Sequence, residues 1–251
     1  MDSVADRLST AGRSAGLERE PADLPFLGSL PEPVRERLLG SSCIEHYAPR
    51  EELFAGGAIP TRLQIVLSGI VELACFYERR ECTALMMAAG DVLMPAAVLY
   101  SEPYLISARA LTAAKILAID ADAIREEART STELALALAG LMGGQWRVAL
   151  KIILELKCRS PSQRLAAFLL RLHAAARPGL PAEVPFSKRQ LASRIGMQPE
   201  TLSRTLQTLA ANGLYLRGRE IIVTDRAMAE AFCGPDPYPP ASEYELGVHA
   251  L

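Results

Sequence analysis

The chain has 251 residues, half of them hydrophobic and 22% charged, which is enough apolar material for a sizeable core and argues against disorder throughout. The formal net charge of −2 conceals an asymmetry: residues 1–157 hold 16 Lys+Arg against 21 Asp+Glu, a net of −5, while residues 158–235 hold 11 against 5, a net of +6. A polyanionic partner is therefore expected for the second part only, and the absence of an 18-residue apolar run or a signal segment predicts a cytoplasmic protein with no membrane span.

In chain order, residues 1–24 read as a flexible leader, small and polar. Pro31–Leu39 follows as a short helix with proline near its start. From Cys43 to about Ile119 the pattern becomes short β-compatible runs, among them Leu63–Leu67, Ile70–Tyr77, Cys82–Met87 and Ala114–Ile119. Turn residues separate them at Gly56-Gly57, Ser68-Gly69 and Ala89-Gly90-Asp91, and the spacing predicts an antiparallel sandwich or barrel over 25–129 with no βαβ unit.

Thr130 and Glu133 read as a T-x-x-E capping box opening a long helix over 130–158, about 40 Å at 1.5 Å per residue. Leu134, Leu138, Leu141, Gln145, Val148 and Ile152 alternate steps of four and three and are assigned as the seam of a dimerisation helix. A second row, Leu136, Ala139, Gly143, Trp146, Leu150 and Ile153, lies on another face. Two apolar faces let the helix pack one on its own domain and one on a second copy of the chain. Cys158-Arg159-Ser160-Pro161 breaks the helix and is expected to form a hinge. Gln163–Ala176 is an amphipathic helix with Leu165, Phe168, Leu169 and Leu172 on its apolar face.

Ser187 opens the segment SKRQLASRIGMQPETLSRTLQTLAANGL. Ser187 can cap a first helix with Leu191, Ala192 and Ile195 inside; Gly196 stops it with a positive φ. Gln198-Pro199-Glu200 starts a second helix with Leu202, Leu206 and Leu209 inside and Thr201, Ser203, Arg204, Thr205 and Gln207 outside, ended by Asn212-Gly213. Leu214–Leu216 and Ile221–Val223 then form a hairpin tipped by Arg217-Gly218-Arg219. Two short helices on a glycine turn followed by a basic hairpin match a winged helix-turn-helix over 159–235. Ser187, Lys188, Arg189, Gln198, Thr201, Arg217 and Arg219 are placed to meet the DNA backbone, which positions without specifying sequence. Residues 236–251 read as a tail.

The order of these segments, together with LQIVLSGIVEL, AGDVL, ARALTAAKILAID, PSQRLAAFLL and GREIIVTD, resembles the CRP/FNR family of bacterial transcription regulators over residues 25–232. The resemblance implies an α+β chain: an N-terminal double-stranded β-roll, a dimerisation helix and a C-terminal winged helix-turn-helix. It implies a homodimer on double-stranded DNA with RNA polymerase as a further partner. The E-x-x-S-R reading pattern of the FNR-like branch falls on Glu200, Ser203 and Arg204, which share one helix face, so an inverted repeat TTGAT-N4-ATCAA is expected.

The resemblance also bears on the effector. The glutamate, arginine and serine positions that hold cyclic AMP in relatives fall at Met94, Tyr104 and Leu105, and a phosphate without a cation would be costly to bury, so no cyclic AMP binding is expected. No cysteine occurs in residues 1–42, which excludes an N-terminal iron–sulfur cluster. The pocket expected from Met86, Met87, Met94, Val98, Leu99 and Tyr104 is apolar. It suits haem, as in the nitric-oxide and CO sensors of the family, with His46, Cys75, Cys82 or Met94 as candidate ligands. It suits another hydrophobic ligand, or a collapsed pocket, as well; oxidation at Cys75 or Cys82 is a further alternative. The scattered cysteines form no zinc site, His173 stands alone, and no nucleophile elbow, phosphate loop or HExxH motif points to an enzyme.

Overall fold

The computed structural model describes residues 20–21, 24–77, 80–174, 176, 179–185 and 187–235, so most of the expected leader and all of the expected tail lie outside the described residues. These residues fall into two compact units that divide within the long helix, between Val148 and Ala149, with Glu81–Thr83 of one strand grouped with the second unit.

The first unit opens with α1 (Pro25–Gly28) and α2 (Glu32–Gly40), which bury Phe26, Leu27, Val34 and Leu38. Eight strands follow: β1 (Ser42–Tyr47), β2 (Glu52–Phe54), β3 (Arg62–Ser68), β4 (Val71–Tyr77), β5 (Arg80–Met87), β6 (Val92–Leu93), β7 (Ser107–Ala110) and β8 (Ala114–Asp120). They form two four-stranded sheets, ordered β1-β8-β3-β6 and β2-β7-β4-β5, with antiparallel pairing between β1 and β8, β3 and β8, β3 and β6, β2 and β7, and β4 and β7. Alternation decides what fills the space between sheets. Val66, Leu93, Ala114 and Ile116 from one sheet meet Val71, Leu73, Ala108 and Ala110 from the other, with Met87 among them. Full burial of such side chains contributes about 1.5–3 kcal/mol each before entropy is set against it.

Two further helices belong to this unit, and neither makes a βαβ unit. α3 (Pro95–Tyr100) sits between β6 and β7, bracketed by left-handed Met94 (φ 44°) and Ser101 (φ 54°). α4 (Ala121–Thr130) starts where β8 ends, because the Asp120 side chain accepts from the Ala123 amide at 2.9 Å and caps it. The T-x-x-E box predicted from Thr130 is accordingly one residue out of register. Thr130 ends α4, and the cap of the long helix α5 (Thr132–Cys158) is Ser131, whose Oγ accepts from the Leu134 amide at 3.2 Å and lies 3.1 Å from the Glu133 carboxylate.

α5 also corrects the assignment of its two apolar rows. Leu134, Leu138, Leu141 and Val148 are buried within their own chain, Ile152 is half-buried, and the Gln145 amide donates to the Val92 carbonyl of β6 at 2.9 Å. Leu134, Leu138, Leu141 and Val148 of this row thus face their own protomer. The second row is the open one: Leu136 is 68% exposed, Trp146 61%, Leu150 39% and Ile153 41%. By length and composition α5 could cross a membrane, with a mean hydropathy of 1.2 over its most apolar window.

The second unit continues from Ala149. After α5 come α6 (Pro161–Ala174), α7 (Lys188–Ile195), α8 (Pro199–Ala210), the hairpin β9 (Leu214–Arg217) and β10 (Glu220–Val223), and α9 (Arg226–Cys233). α6 begins two residues earlier than the periodicity suggests, because Ser160 and Gln163 form the cap: the Gln163 amide donates to Ser160 Oγ at 3.3 Å and the Ser160 amide to Gln163 Oε1 at 3.0 Å. Leu165, Phe168, Leu169 and Leu172 of α6 are buried, as are Leu191, Ile195, Leu202, Leu209, Leu214 and Ile221 from the elements that follow.

Candidate nucleic-acid interface

The helix pair is built by residues that leave the backbone few choices. Ser187 caps α7 in a full capping box, its Oγ accepting from the Gln190 amide at 3.3 Å while Gln190 Oε1 accepts from the Ser187 amide at 2.8 Å. Gly196 ends α7 at φ 75°, a left-handed conformation that costs an L-residue about 1–2 kcal/mol. Pro199 at the first position of α8 supplies the φ a helix start requires.

α8 presents two unlike faces. Leu202, Thr205 and Leu209 are buried and Leu206 is half-buried. Thr205 therefore departs from the expected outward set. Its Oγ1 donates to the Thr201 carbonyl at 2.9 Å, which satisfies the hydroxyl within the helix and lets its methyl pack inward. On the outer face Glu200, Ser203, Arg204 and Gln207 are exposed and Thr201 is half-exposed. Ser203 has a long contact to the Pro199 carbonyl at 3.5 Å. Among the described residues neither the Glu200 carboxylate nor the Arg204 guanidinium has a hydrogen-bond or ion-pair partner, although they stand i, i+4 on one face. Two unpaired opposite charges around a hydroxyl form a donor–acceptor set suited to base edges.

The hairpin carries the expected basic tip, with Gly218 at φ 67°. Arg217 pairs across the strands with Glu220 at 2.7 Å, and both the hydrogen bond and the carboxylate's charge raise its pKa. Arg219 Nε donates to the Val184 carbonyl at 2.8 Å. Residues 182–184 run alongside β10, where the Ile221 amide donates to the Ala182 carbonyl at 2.7 Å and the Val184 amide to the Arg219 carbonyl at 2.8 Å. This extra edge is absent from the sequence-based expectations; its only signal is the apolar pair Ala182 and Val184 between polar neighbours. A recess of about 290 Å³ opens between hairpin and α7, lined by Ser187, Lys188 and Arg219 with Val184, Leu191, Leu216 and Gly218. Three of the residues assigned to the DNA backbone thus surround one concavity at a helix N-terminus, while Arg189, Gln198, Thr201 and Arg217 do not line it.

Gly213 joins α8 to the hairpin and is constrained twice. Its φ is 76°, and a Cβ there would lie 2.7 Å from the Asp225 carbonyl oxygen. Asp225 in turn caps α9 through the Met228 amide at 2.9 Å. Gly213→Ala is therefore expected to destabilise this unit by about 2–3 kcal/mol, read as a lower unfolding midpoint in urea with an unchanged slope.

In the β-roll, Met87 belongs to the inter-sheet core and Met94 packs against it; Val98 is fully buried in α3 with Leu99 half-buried beside it. Tyr104 turns inward and stacks on Phe54, ring centroids 3.8 Å apart, and burial pushes its phenol up to about 12. Leu105 turns outward and is 86% exposed. The two residues that the family resemblance assigns to the phosphate position are thus a stacked phenol and a solvent-facing aliphatic. Arg62 on β3 and Arg109 on β7, in opposite sheets, pair with Glu45 at 2.6 Å and Glu72 at 2.7 Å. Of the candidate haem ligands, His46 and Cys82 are exposed on β1 and β5, Cys75 is half-buried on β4, and Met94 is half-buried at the start of α3.

Two family models match the chain: a cyclic nucleotide-binding domain over residues 44–131 and a Crp-like helix-turn-helix domain over residues 163–231. The nitrogen fixation regulation protein FixK of Azorhizobium caulinodans is 26% identical over 192 residues, covering 72% of this chain and 75% of its own. The transcriptional activator protein anr of Pseudomonas aeruginosa is 27% identical over 139 residues, covering 53% and 57%. The solved structure of FixK2 from Bradyrhizobium japonicum shares the fold at a TM-score of 0.67 and 21% identity, covering 77% of this chain and 98% of that one. A β-roll, a long helix and a winged helix-turn-helix in this order, matched by both domain models, place the chain in the CRP/FNR family of DNA-binding transcription regulators.

Proposed function

We propose that two copies of this protein join through the exposed row of α5 and read an inverted repeat of the form TTGAT-N4-ATCAA, with Glu200, Ser203 and Arg204 in the major groove. The carrying observation is the outer face of α8, where Glu200 and Arg204 stand exposed and, among the described residues, unpaired on either side of Ser203. Arg204 can give two hydrogen bonds to guanine O6 and N7, and Glu200 can accept from an exocyclic amine of cytosine or adenine. Lys188, Arg189, Arg217 and Arg219 supply phosphate contacts, in keeping with the net charge of +6 over residues 158–235. Similarity to a nitrogen fixation regulation protein and a transcriptional activator supports a regulatory role.

A second copy is the occupant that fits the open row. Leu136, Ala139, Gly143, Trp146, Leu150 and Ile153 follow the alternation of three and four that keeps a seam facing a parallel partner. A Cβ at Gly143 would meet nothing within 4 Å in the protomer, so this glycine is not required by its own chain. A mid-helix glycine costs about 1 kcal/mol relative to alanine, and it gains a purpose if the partner's indole occupies the space beside it.

The effector differs from cyclic AMP in this proposal; the residue that the family resemblance sets at the phosphate position, Tyr104, is stacked on Phe54 and carries no positive charge. A gel shift tests both parts. Wild-type protein is expected to bind TTGAT-N4-ATCAA at least 10³-fold more tightly than scrambled half-sites at matched salt, by the usual specificity ratio, with no change on adding cyclic AMP. Equal affinity for the two probes overturns the half-site; cyclic AMP dependence overturns the effector assignment.

A further inference from the structure

Residues 158–161 are expected from sequence to form a hinge, yet the junction they form is stapled. The cysteine that ends α5 is followed directly by Arg159, and the last carbonyls of a helix have no partner within the helix itself. One guanidinium serves two such ends. Arg164, on the first turn of α6, donates from Nη1 to the Arg159 carbonyl at 2.9 Å and from Nε to the Ile195 carbonyl at 3.2 Å. The first carbonyl closes α5 and the second closes α7 just before the glycine turn. The third nitrogen, Nη2, lies 3.7 Å from where a Cβ on Gly196 would stand, so the guanidinium is spread across the turn of the helix-turn-helix.

Arg164 is only 9% exposed, and burial lowers its pKa, so a charge is kept in a place that disfavours it. A buried cation is weak evidence for stability; its best-attested use is to specify geometry. Both acceptors lie at the negative ends of helix dipoles, where a cation is favoured. Neighbouring groups extend the staple. Glu155 of α5 accepts from Arg159 at 2.8 Å and from Arg171 of α6 at 2.7 Å, and Arg159 Nη2 donates to the Pro235 carbonyl at 3.3 Å beyond α9. The last turns of α5 accordingly group with the DNA-reading helices, the division between units falling ten residues upstream of Cys158.

We infer that Arg164 is a positioning residue for DNA reading: it fixes the angle between the end of α5 and the α7–α8 pair. The inference rests on the dimeric reading above, because in a dimer that angle sets the distance between the two recognition helices and hence the spacer between half-sites. Lysine cannot replace it, since a single ammonium lacks the rigid fork that reaches two carbonyls in different directions.

Full-length Arg164→Lys and Arg164→Met test the inference by gel shift on TTGAT-Nx-ATCAA with spacers of about three, four and five base pairs, with amide hydrogen exchange across residues 191–209 measured in parallel. Arg164→Lys is expected to stay dimeric and to keep its preference for TTGAT over a scrambled half-site. Its affinity for the preferred spacer is expected to fall about 10-fold and the ratio between spacers to shrink by a similar factor, with faster exchange around Gly196. Arg164→Met, which packs without a charge, is expected to lose spacer discrimination at an unchanged unfolding midpoint. Equal weakening on all spacers in both variants would reduce Arg164 to a structural residue and overturn the inference. A wild-type protein that ignores the inverted repeat counts against the proposed function, and unchanged exchange in both variants would then overturn the positioning role as well.

Discussion

Leu150→Glu is expected to leave each protomer folded, to turn the dimer into a monomer, and to lower affinity for the inverted repeat by about 10²–10⁴-fold. The reasons lie on α5. Leu150 is 39% exposed in the protomer and belongs to the open row, so a carboxylate there meets water and costs the single chain little. In the proposed dimer it would meet its own copy across the two-fold axis, and two carboxylates buried side by side in a seam cannot both stay charged without a large penalty. Losing the second subunit removes the effective concentration that makes the second half-site contact intramolecular, and that gain is commonly 10²–10⁴. Leu138→Glu serves as the contrast: Leu138 is 1% exposed on the row packed within its own chain, so it is expected to unfold the β-roll unit. Sedimentation velocity separates the two outcomes. A Leu150→Glu protein that remains dimeric would overturn the seam.

That contrast also shows where sequence reading reaches its limit. Both rows of α5 obey the same alternation of three and four, so periodicity cannot say which faces the β-roll. The composition holds a hint, since the buried row is aliphatic apart from Gln145 while the open row mixes Gly143 with Trp146. The burial of Leu134, Leu138, Leu141 and Val148 and the amide of Gln145 on Val92 decide it. The capping box fails for a related reason. Thr130, Ser131 and Thr132 are all competent caps, and the choice of Ser131 follows from α4 running up to Thr130, a helix hidden because Asp120 closes a strand and caps a helix at once. The helix-turn-helix is legible almost residue by residue because its boundaries rest on Ser187, Gly196, Pro199 and Gly213, whose backbone demands are local. Thr205 escapes because its hydroxyl is satisfied inside the helix, and Arg164 because nothing in a sequence distinguishes a buried arginine from a surface one.

Arg204→Ala is expected to weaken binding to TTGAT-N4-ATCAA by about 1–3 kcal/mol at each half-site, roughly 30-fold or more for the dimer, and to erase discrimination at the guanine of each TTGAT. The size of the loss alone does not identify the role, because a phosphate clamp would also weaken binding. The two roles differ in what they do to sequence and salt. A guanine contact is made to a base edge and releases few counterions, so removing it should leave the dependence of affinity on salt nearly constant. Removing one phosphate contact should lower that slope by about 0.9 while leaving base preference intact. Arg219→Ala provides the second pattern, since Arg219 lines the recess beside Ser187 and Lys188 and is anchored through Nε to Val184. The decisive comparison is TTGAT against TTAAT in both half-sites at two salt concentrations. Wild-type and Arg219→Ala proteins should prefer the guanine equally, and Arg204→Ala should bind both probes alike. An Arg204→Ala protein that keeps the guanine preference and loses salt dependence would move Arg204 from the base edge to the backbone, leaving Glu200 and Ser203 as the only readers on α8.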